Sequence, residues 1–146
     1  MVRLSLEDLY KEVILDHYRA PRNKGHLDPH DVALERNNPL CGDEIELFLR
    51  FDGETVEGIA FEGKGCSISQ ASASMMTEKI QGLDAKEAAS VAQSIKRMMA
   101  GEEEGDAETL GDLVALKGVV KYPVRIKCAL LGWNTLLEGL EEGGKT

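Results

Sequence analysis

Between Glu44 and Phe51 the chain alternates: Ile45, Leu47, Leu49 and Phe51 are apolar, whereas Glu44, Glu46 and Arg50 are charged and Phe48 stands among them. A period of two sustained over this length predicts a β-strand with one face buried. Asp52-Gly53 follows, a pair suited to positive φ, which predicts a tight hairpin and an antiparallel return strand. In that return strand the apolar phase slips from Val56 to Ile59 and Phe61 with Gly58 between them, the pattern of a β-bulge. The strand ends in Glu62-Gly63-Lys64-Gly65.

Helical periodicity surrounds this hairpin. Ser5 followed by Asp8 forms a capping box, and Leu6, Leu9, Tyr10, Val13 and Ile14 repeat at helical spacing, predicting a helix over 5–19 ahead of Pro21. The turn-rich APRNKGHLDPHDVALERNNP carries one short strand signal at Val32 and Leu34. SISQASASMMTEKIQG, made of small residues, predicts a tightly packed helix that Cys66 opens and that ends near Gly82. Asp84 and Glu87 cap the next, whose stripe is Ala88, Val91, Ala92, Ile95, Met98 and Met99, up to Gly101. After the solvated acidic loop GEEEGD, Leu110, Leu113, Val114 and Leu116 mark a short helical piece. The last helix begins after Pro123 with Ile126, Leu130, Trp133, Leu137 and Leu140 as its stripe. The expected fold is therefore α+β: one compact domain spanning 1–146, with about three antiparallel strands packed against several helices.

Charge and composition narrow the function. A net charge of −9 argues against nucleic acid or an anionic membrane as partner, because both demand basic patches. No stretch approaches the roughly 20 apolar residues of a membrane span, and MVRLSLEDLYKEV lacks a signal peptide's apolar block, so a cytoplasmic protein is expected. In such a reducing compartment the three cysteines, Cys41, Cys66 and Cys128, predict thiol or metal chemistry rather than disulfides.

A free cysteine is most often a small buried hydrophobe, but all three stand in places that weaken that reading. Cys41 lies in a loop between Pro39 and Gly42, where the glycine lets Cys41 and Asp43 aim at one centre. Cys66 opens a helix, where free amides and the helix dipole favour a thiolate. Cys128, two residues from Ile126, falls about 200° around the helix axis from it and so faces away from the apolar stripe. Three thiols and an adjacent carboxylate supply the four donors of a tetrahedral zinc site, Cys41, Asp43, Cys66 and Cys128. The same donors suit an iron–sulfur cluster, and spacing alone does not separate the two. Arg125, one turn before Cys128, could offset the negative charge of such a site. His17, His26 and His30 are read as surface or capping residues, and Arg19, Arg22 and Lys24 as a basic turn.

Four blocks, DHYRAPRNKGHL, NNPLCGD, FEGKGCSISQASASMM and YPVRIKCALLGW, in that order and at those intervals, resemble the U-type iron–sulfur cluster assembly proteins, the IscU/SufU/NifU N-terminal family. The scaffold branch of that family has a histidine immediately before the last cysteine, where this chain has Lys127, and an LPPVK-like stretch where this chain has KYPVRIK. The segment between Cys66 and Cys128, with its GDLVALKGV region, is similar to that of the SufU branch.

The resemblance implies metal ligands at Cys41, Asp43, Cys66 and Cys128, and a zinc-dependent acceptor of persulfide sulfur working with a cysteine desulfurase of the SufS/IscS kind. Cys41 would take up the sulfur, Arg125 would assist ligand exchange or partner contact, and downstream iron–sulfur assembly proteins would receive the product. Two alternatives stand beside it: a scaffold for a labile [2Fe–2S] cluster or iron, and a purely structural zinc site.

Overall fold

The computed structural model describes residues 6–145. Helix α1 (Leu6–Arg19) is followed by strands β1 (Val32–Asn38), β2 (Asp43–Asp52) and β3 (Thr55–Lys64). Then come α2 (Ser67–Ile80), α3 (Ala85–Met99), α4 (Ala107–Leu110), a 3-10 segment (Gly111–Val119) and α5 (Pro123–Glu142). The strands form an antiparallel sheet in the order β1-β2-β3. The α+β architecture is the one expected, and the Ser5 half of the predicted capping box lies outside the described residues.

The alternation in β2 does what its period requires. Ile45, Leu47 and Leu49 are buried on the face covered by α2 and α5, together with Val56, Phe61, Met76, Trp133 and Leu136. Burying each large side chain of this kind contributes about 1.5–3 kcal/mol. Phe48, on the opposite face, is also buried, because the rings of His26 and His30 pack against it at centroid distances of 4.7 and 5.3 Å. The loop carrying these histidines is tied to β3 by hydrogen bonds from Gly25 N–H to Phe61 O and from Phe61 N–H to Asn23 O.

The hairpin turn sits one residue later than predicted. Asp52 pairs with Thr55, leaving Gly53-Glu54 as the loop, and only Gly53 has positive φ (60°), as the first central position of a II′ turn requires. The bulge occurs where the phase slips: Arg50 faces Gly58 but Phe51 faces Val56, so Glu57 is the extra residue.

Helix α2 runs through the interior, and its small residues allow three neighbours to approach it. Ser69, Ala71, Ser72, Ala73 and Ser74 are buried. Towards α5, Ser72 Oγ donates to Ala129 O (2.6 Å) and accepts from Trp133 Nε1 (3.1 Å). Towards α1, Ser74 Oγ meets His17 Nδ1 at 2.8 Å and accepts from Arg22 N–H at 2.8 Å. His17 is therefore an interior residue, 3% exposed, and not the surface residue expected. Its partner lies 57 positions away, beyond the reach of any local pattern.

Burial, followed by the nearby Arg22 cation, lowers the His17 pKa from its usual 6.5. The unfolded chain then binds a proton more readily than the folded one, so this contribution to stability is complete above about pH 6.5 and is lost as pH falls towards the lower folded value. The urea midpoint is expected to fall between pH 7 and 5, and His17→Gln should flatten that fall. Equal slopes for the two proteins would remove His17 as the source.

Candidate functional site

Asn38 and Asp43 close the β1–β2 hairpin as its last pair, and residues 39–42 form its loop. Both Cys41 N–H and Gly42 N–H donate to Asn38 O (3.2 and 2.9 Å), and Gly42 at φ 70° turns the chain back into β2. The Asn38 side chain accepts from Leu40 N–H at 3.3 Å, closing an Asx turn. These bonds leave Cys41 half-buried on the outside of the turn and aim Asp43 inward.

Asp43 is fully buried. Its Oδ1 accepts from Cys66 N–H at 2.9 Å, one of the amides at the start of α2 that no helical carbonyl satisfies. Cys66 is the N-cap of that helix, and its Sγ accepts from Ser69 N–H at 3.4 Å. The helix dipole thus favours negative charge on both groups. Gly65 makes the approach possible: a Cβ there would lie 2.3 Å from Asp43 Oδ1.

Cys128 arrives from the second turn of α5. It is wholly buried, its Sγ 2.9 Å from Cys41 Sγ and 4.0 Å from Asn38 Nδ2. This revises the expectation that Cys128 faces away from the helix's packed side. The buried arc of α5 comprises Cys128, Ala129, Gly132, Trp133, Thr135, Leu136, Gly139 and Leu140, while Ile126, Leu130 and Leu137 are only half-buried at its margin. Cys128 stands at the open end of that arc.

The predicted donors are therefore gathered at one end of the sheet. One donor atom from each of Cys41, Asp43 and Cys128 lies within 4.8 Å of the others. Cys66 stands beside this trio, its Sγ 4.0 Å from Asp43 Oδ2 and turned towards the Ser69 amide. Burial pushes the Cys128 thiol well above its usual range, and the adjoining Cys41, Asp43 and Cys66 add to that. A divalent cation among these groups would reverse that balance for Cys128, and the soft-plus-hard donor set suits zinc or iron.

Arg125 lies in the first turn of α5 on the exposed surface, and its guanidinium makes no side-chain hydrogen bond or ion pair among the described residues. It lines an open groove of about 580 Å³ with Ser67, Ile68, Tyr122 and Val124. Of the basic turn, Arg22 is engaged by Asp16 and Glu78, and Lys24 donates to Gln70. His26 pairs with Glu62 on the sheet's outer face, away from the thiols. Sequence reasoning missed Asn38, which shapes the loop and touches Cys128; its place directly before Pro39 and Cys41 was the available signal.

A fold in which the ends of a hairpin, a buried helix and a final helix bring three cysteines and an aspartate together defines a class of thiol-and-carboxylate metal proteins. The chain belongs to the NifU-like N-terminal domain family, whose model matches residues 9–129. It is 51% identical over 142 residues to the zinc-dependent sulfurtransferase SufU of Bacillus subtilis, covering 96% of each chain. It is 43% identical over 141 residues to the iron–sulfur cluster assembly scaffold protein IscU of Streptococcus pyogenes, covering 97% of this chain and 88% of that one. The crystal structure of the N-terminal part of a nitrogen-fixing NifU-like protein from Brucella abortus superposes with a TM-score of 0.86 over 97% of this chain and 98% of its own. At 23% identity that match bears on the fold alone. No helix among the described residues is long and apolar enough to cross a membrane.

Gly65→Ala is expected to cost about 1–3 kcal/mol of stability, because the new Cβ must displace the Asp43 carboxylate from the Cys66 amide. Denaturant unfolding of the metal-free protein measures it. A change within about 0.5 kcal/mol, ordinary for a surface substitution, would contradict the close approach.

Proposed function

We propose that this chain serves iron–sulfur cluster biogenesis as a zinc-dependent acceptor of persulfide sulfur, working with a cysteine desulfurase. The observation that carries the reading is the meeting of Cys41, Asp43 and Cys128, with Cys66 alongside, at a surface where only Cys41 stands on a loop. The likeness to a zinc-dependent sulfurtransferase over nearly the whole chain supports it.

Asp43, Cys66 and Cys128 would hold the metal from rigid positions: the first residue of a strand, the cap of a helix and the second turn of another. Bound zinc supplies charge that keeps thiols deprotonated at neutral pH while shielding them from oxidation. Cys41 is the acceptor. Its loop moves at lower cost than a helix or strand, and it is half-exposed where Cys128 is sealed. Its thiolate attacks the outer sulfur of the desulfurase persulfide; the sulfur–sulfur bond there breaks, the desulfurase cysteine leaves as thiolate, and Cys41 carries the new persulfide.

The surface around Cys41 suits docking. Leu40 and Val124 are 70% and 64% exposed, and Tyr122 adds an exposed ring. Arg125 and Lys127, both exposed and without an ion pair among the described residues, give this end a positive rim on an acidic protein. We assign Arg125 to partner contact at that rim.

The test is metal and sulfide content of protein purified without air, paired with desulfurase turnover of free cysteine with and without this chain. One zinc, no sulfide and a stimulated rate support the acceptor. Iron with acid-labile sulfide and little stimulation would instead make it a cluster scaffold, as the name of its Streptococcus relative describes that protein. Cys41→Ser is expected to stay folded and lose sulfur acceptance, and normal transfer by that variant would overturn the assignment. Asp43→Ala should weaken zinc about 10–100-fold in a competition titration, or else Asp43 is not a ligand.

A further inference from the structure

We propose that Cys128 is the resolving thiol that discharges a persulfide from Cys41, freeing hydrosulfide and leaving a Cys41–Cys128 disulfide; this rests on Cys41 being the sulfur acceptor.

The geometry carries it. Cys128 Sγ lies 2.9 Å from Cys41 Sγ. That is slightly shorter than the roughly 3–3.5 Å of a near-attack contact, and closing to a disulfide of about 2.05 Å needs less than an ångström of movement. The two sulfurs share one carbonyl, Val124 O, at 4.0 and 3.9 Å, so they sit on the same side of the α5 entrance. In a Cys41 persulfide the inner sulfur is Cys41 Sγ itself, the atom Cys128 already faces. Cys128 is wholly buried and sealed from thiols in solution, whereas Cys41 is half-exposed, leaving the outer sulfur an exit to solvent. Cys66 also adjoins Cys128, but its sulfur accepts from the Ser69 amide as the cap of α2, and the close sulfur–sulfur contact is with Cys41.

The step balances without an added oxidant. The Cys128 sulfur attacks Cys41 Sγ as its proton passes to the ionised outer sulfur, the bond between inner and outer sulfur breaks, and the outer sulfur leaves as HS⁻ with both bonding electrons. The outer sulfur is reduced by two electrons, and the two cysteines are oxidised to the disulfide. A dithiol reductant would return the pair to thiols for another round. A metal held by both sulfurs occupies the lone pairs the attack needs, so discharge belongs to the state in which it has let go of them.

The full-length protein is loaded with sulfur by inorganic polysulfide without air, freed of excess, and treated with a zinc chelator. Hydrosulfide is then assayed, and peptides are mapped by mass after alkylation. Chemical loading keeps the test apart from the desulfurase reading, which fails or stands on its own assay. The expected result is about one hydrosulfide per persulfide and a peptide pair joined through Cys41 and Cys128, with release at least about tenfold slower in Cys128→Ser. Persistence of the persulfide in the parent protein after chelation, or a pair joined through Cys41 and Cys66, would overturn the proposal. The parent's peptide map decides the matter even where Cys128→Ser does not fold.

Discussion

Burying the Asp43 carboxylate dictates how the surrounding elements meet. An ionised carboxylate taken out of water costs several kcal/mol unless it is hydrogen-bonded and offset by positive charge. Here the amide of Cys66 supplies the bond and the N-terminus of α2 part of the charge. That arrangement requires the start of β2 and the start of α2 to touch, which the long β2–β3 hairpin achieves by returning the chain to Gly63 beside Ile45. Gly65 then lets backbone pass where a side chain would collide with Asp43. Cys41 and Cys66, flanking Asp43 in structure though far apart in sequence, are brought together by the same contact.

A second constraint comes from what α2 lacks. Because its interior face is serine and alanine, α5 comes close enough for Gly132 to meet Ala73 and Met76, and for Ser72 to bond both Ala129 and Trp133. Larger residues there would push α5 outward, and Cys128, one turn from Gly132, would leave the reach of Cys41. The distance between the two sulfurs is thus set within the core rather than at the surface.

These two constraints explain what was legible in the sequence. The hairpin, its bulge and the helices are written in local periods, and the Cys-Gly-Asp loop and Gly-Cys helix start carry their chemistry in adjacent residues. The same residues, with the spacing of the four blocks, carried the family resemblance. The polar Glu35, Arg36 and Asn37 gave β1 no alternation beyond Leu34; pairing with β2 makes that stretch a strand. His17 looked like a surface residue because the hydroxyl that receives it belongs to another helix. The apolar stripe of α5 misplaces Cys128 for a physical reason. A hydrophobic stripe weights large side chains, whereas the tightest face of α5 is lined by Ala129, Gly132 and Gly139, which such a stripe scarcely registers.

The donors differ in how firmly they are held, and the difference bears on function. Asp43 is fixed by a strand and a helix amide, Cys66 by its role as cap, and Cys128 by the packed core of α5. Cys41 is held by two turn hydrogen bonds to Asn38 O and one glycine at positive φ. A purely structural site gains from equal rigidity in every ligand, since any loose member weakens the hold. A site that must hand its metal contact over to sulfur chemistry needs one ligand that departs while the others keep the charge in place. Cys41, the loosely held residue, is also the exposed one, and the wholly buried Cys128 thiol lies directly behind it, so the proposed uptake from outside and discharge from within would use opposite faces of the same sulfur atom.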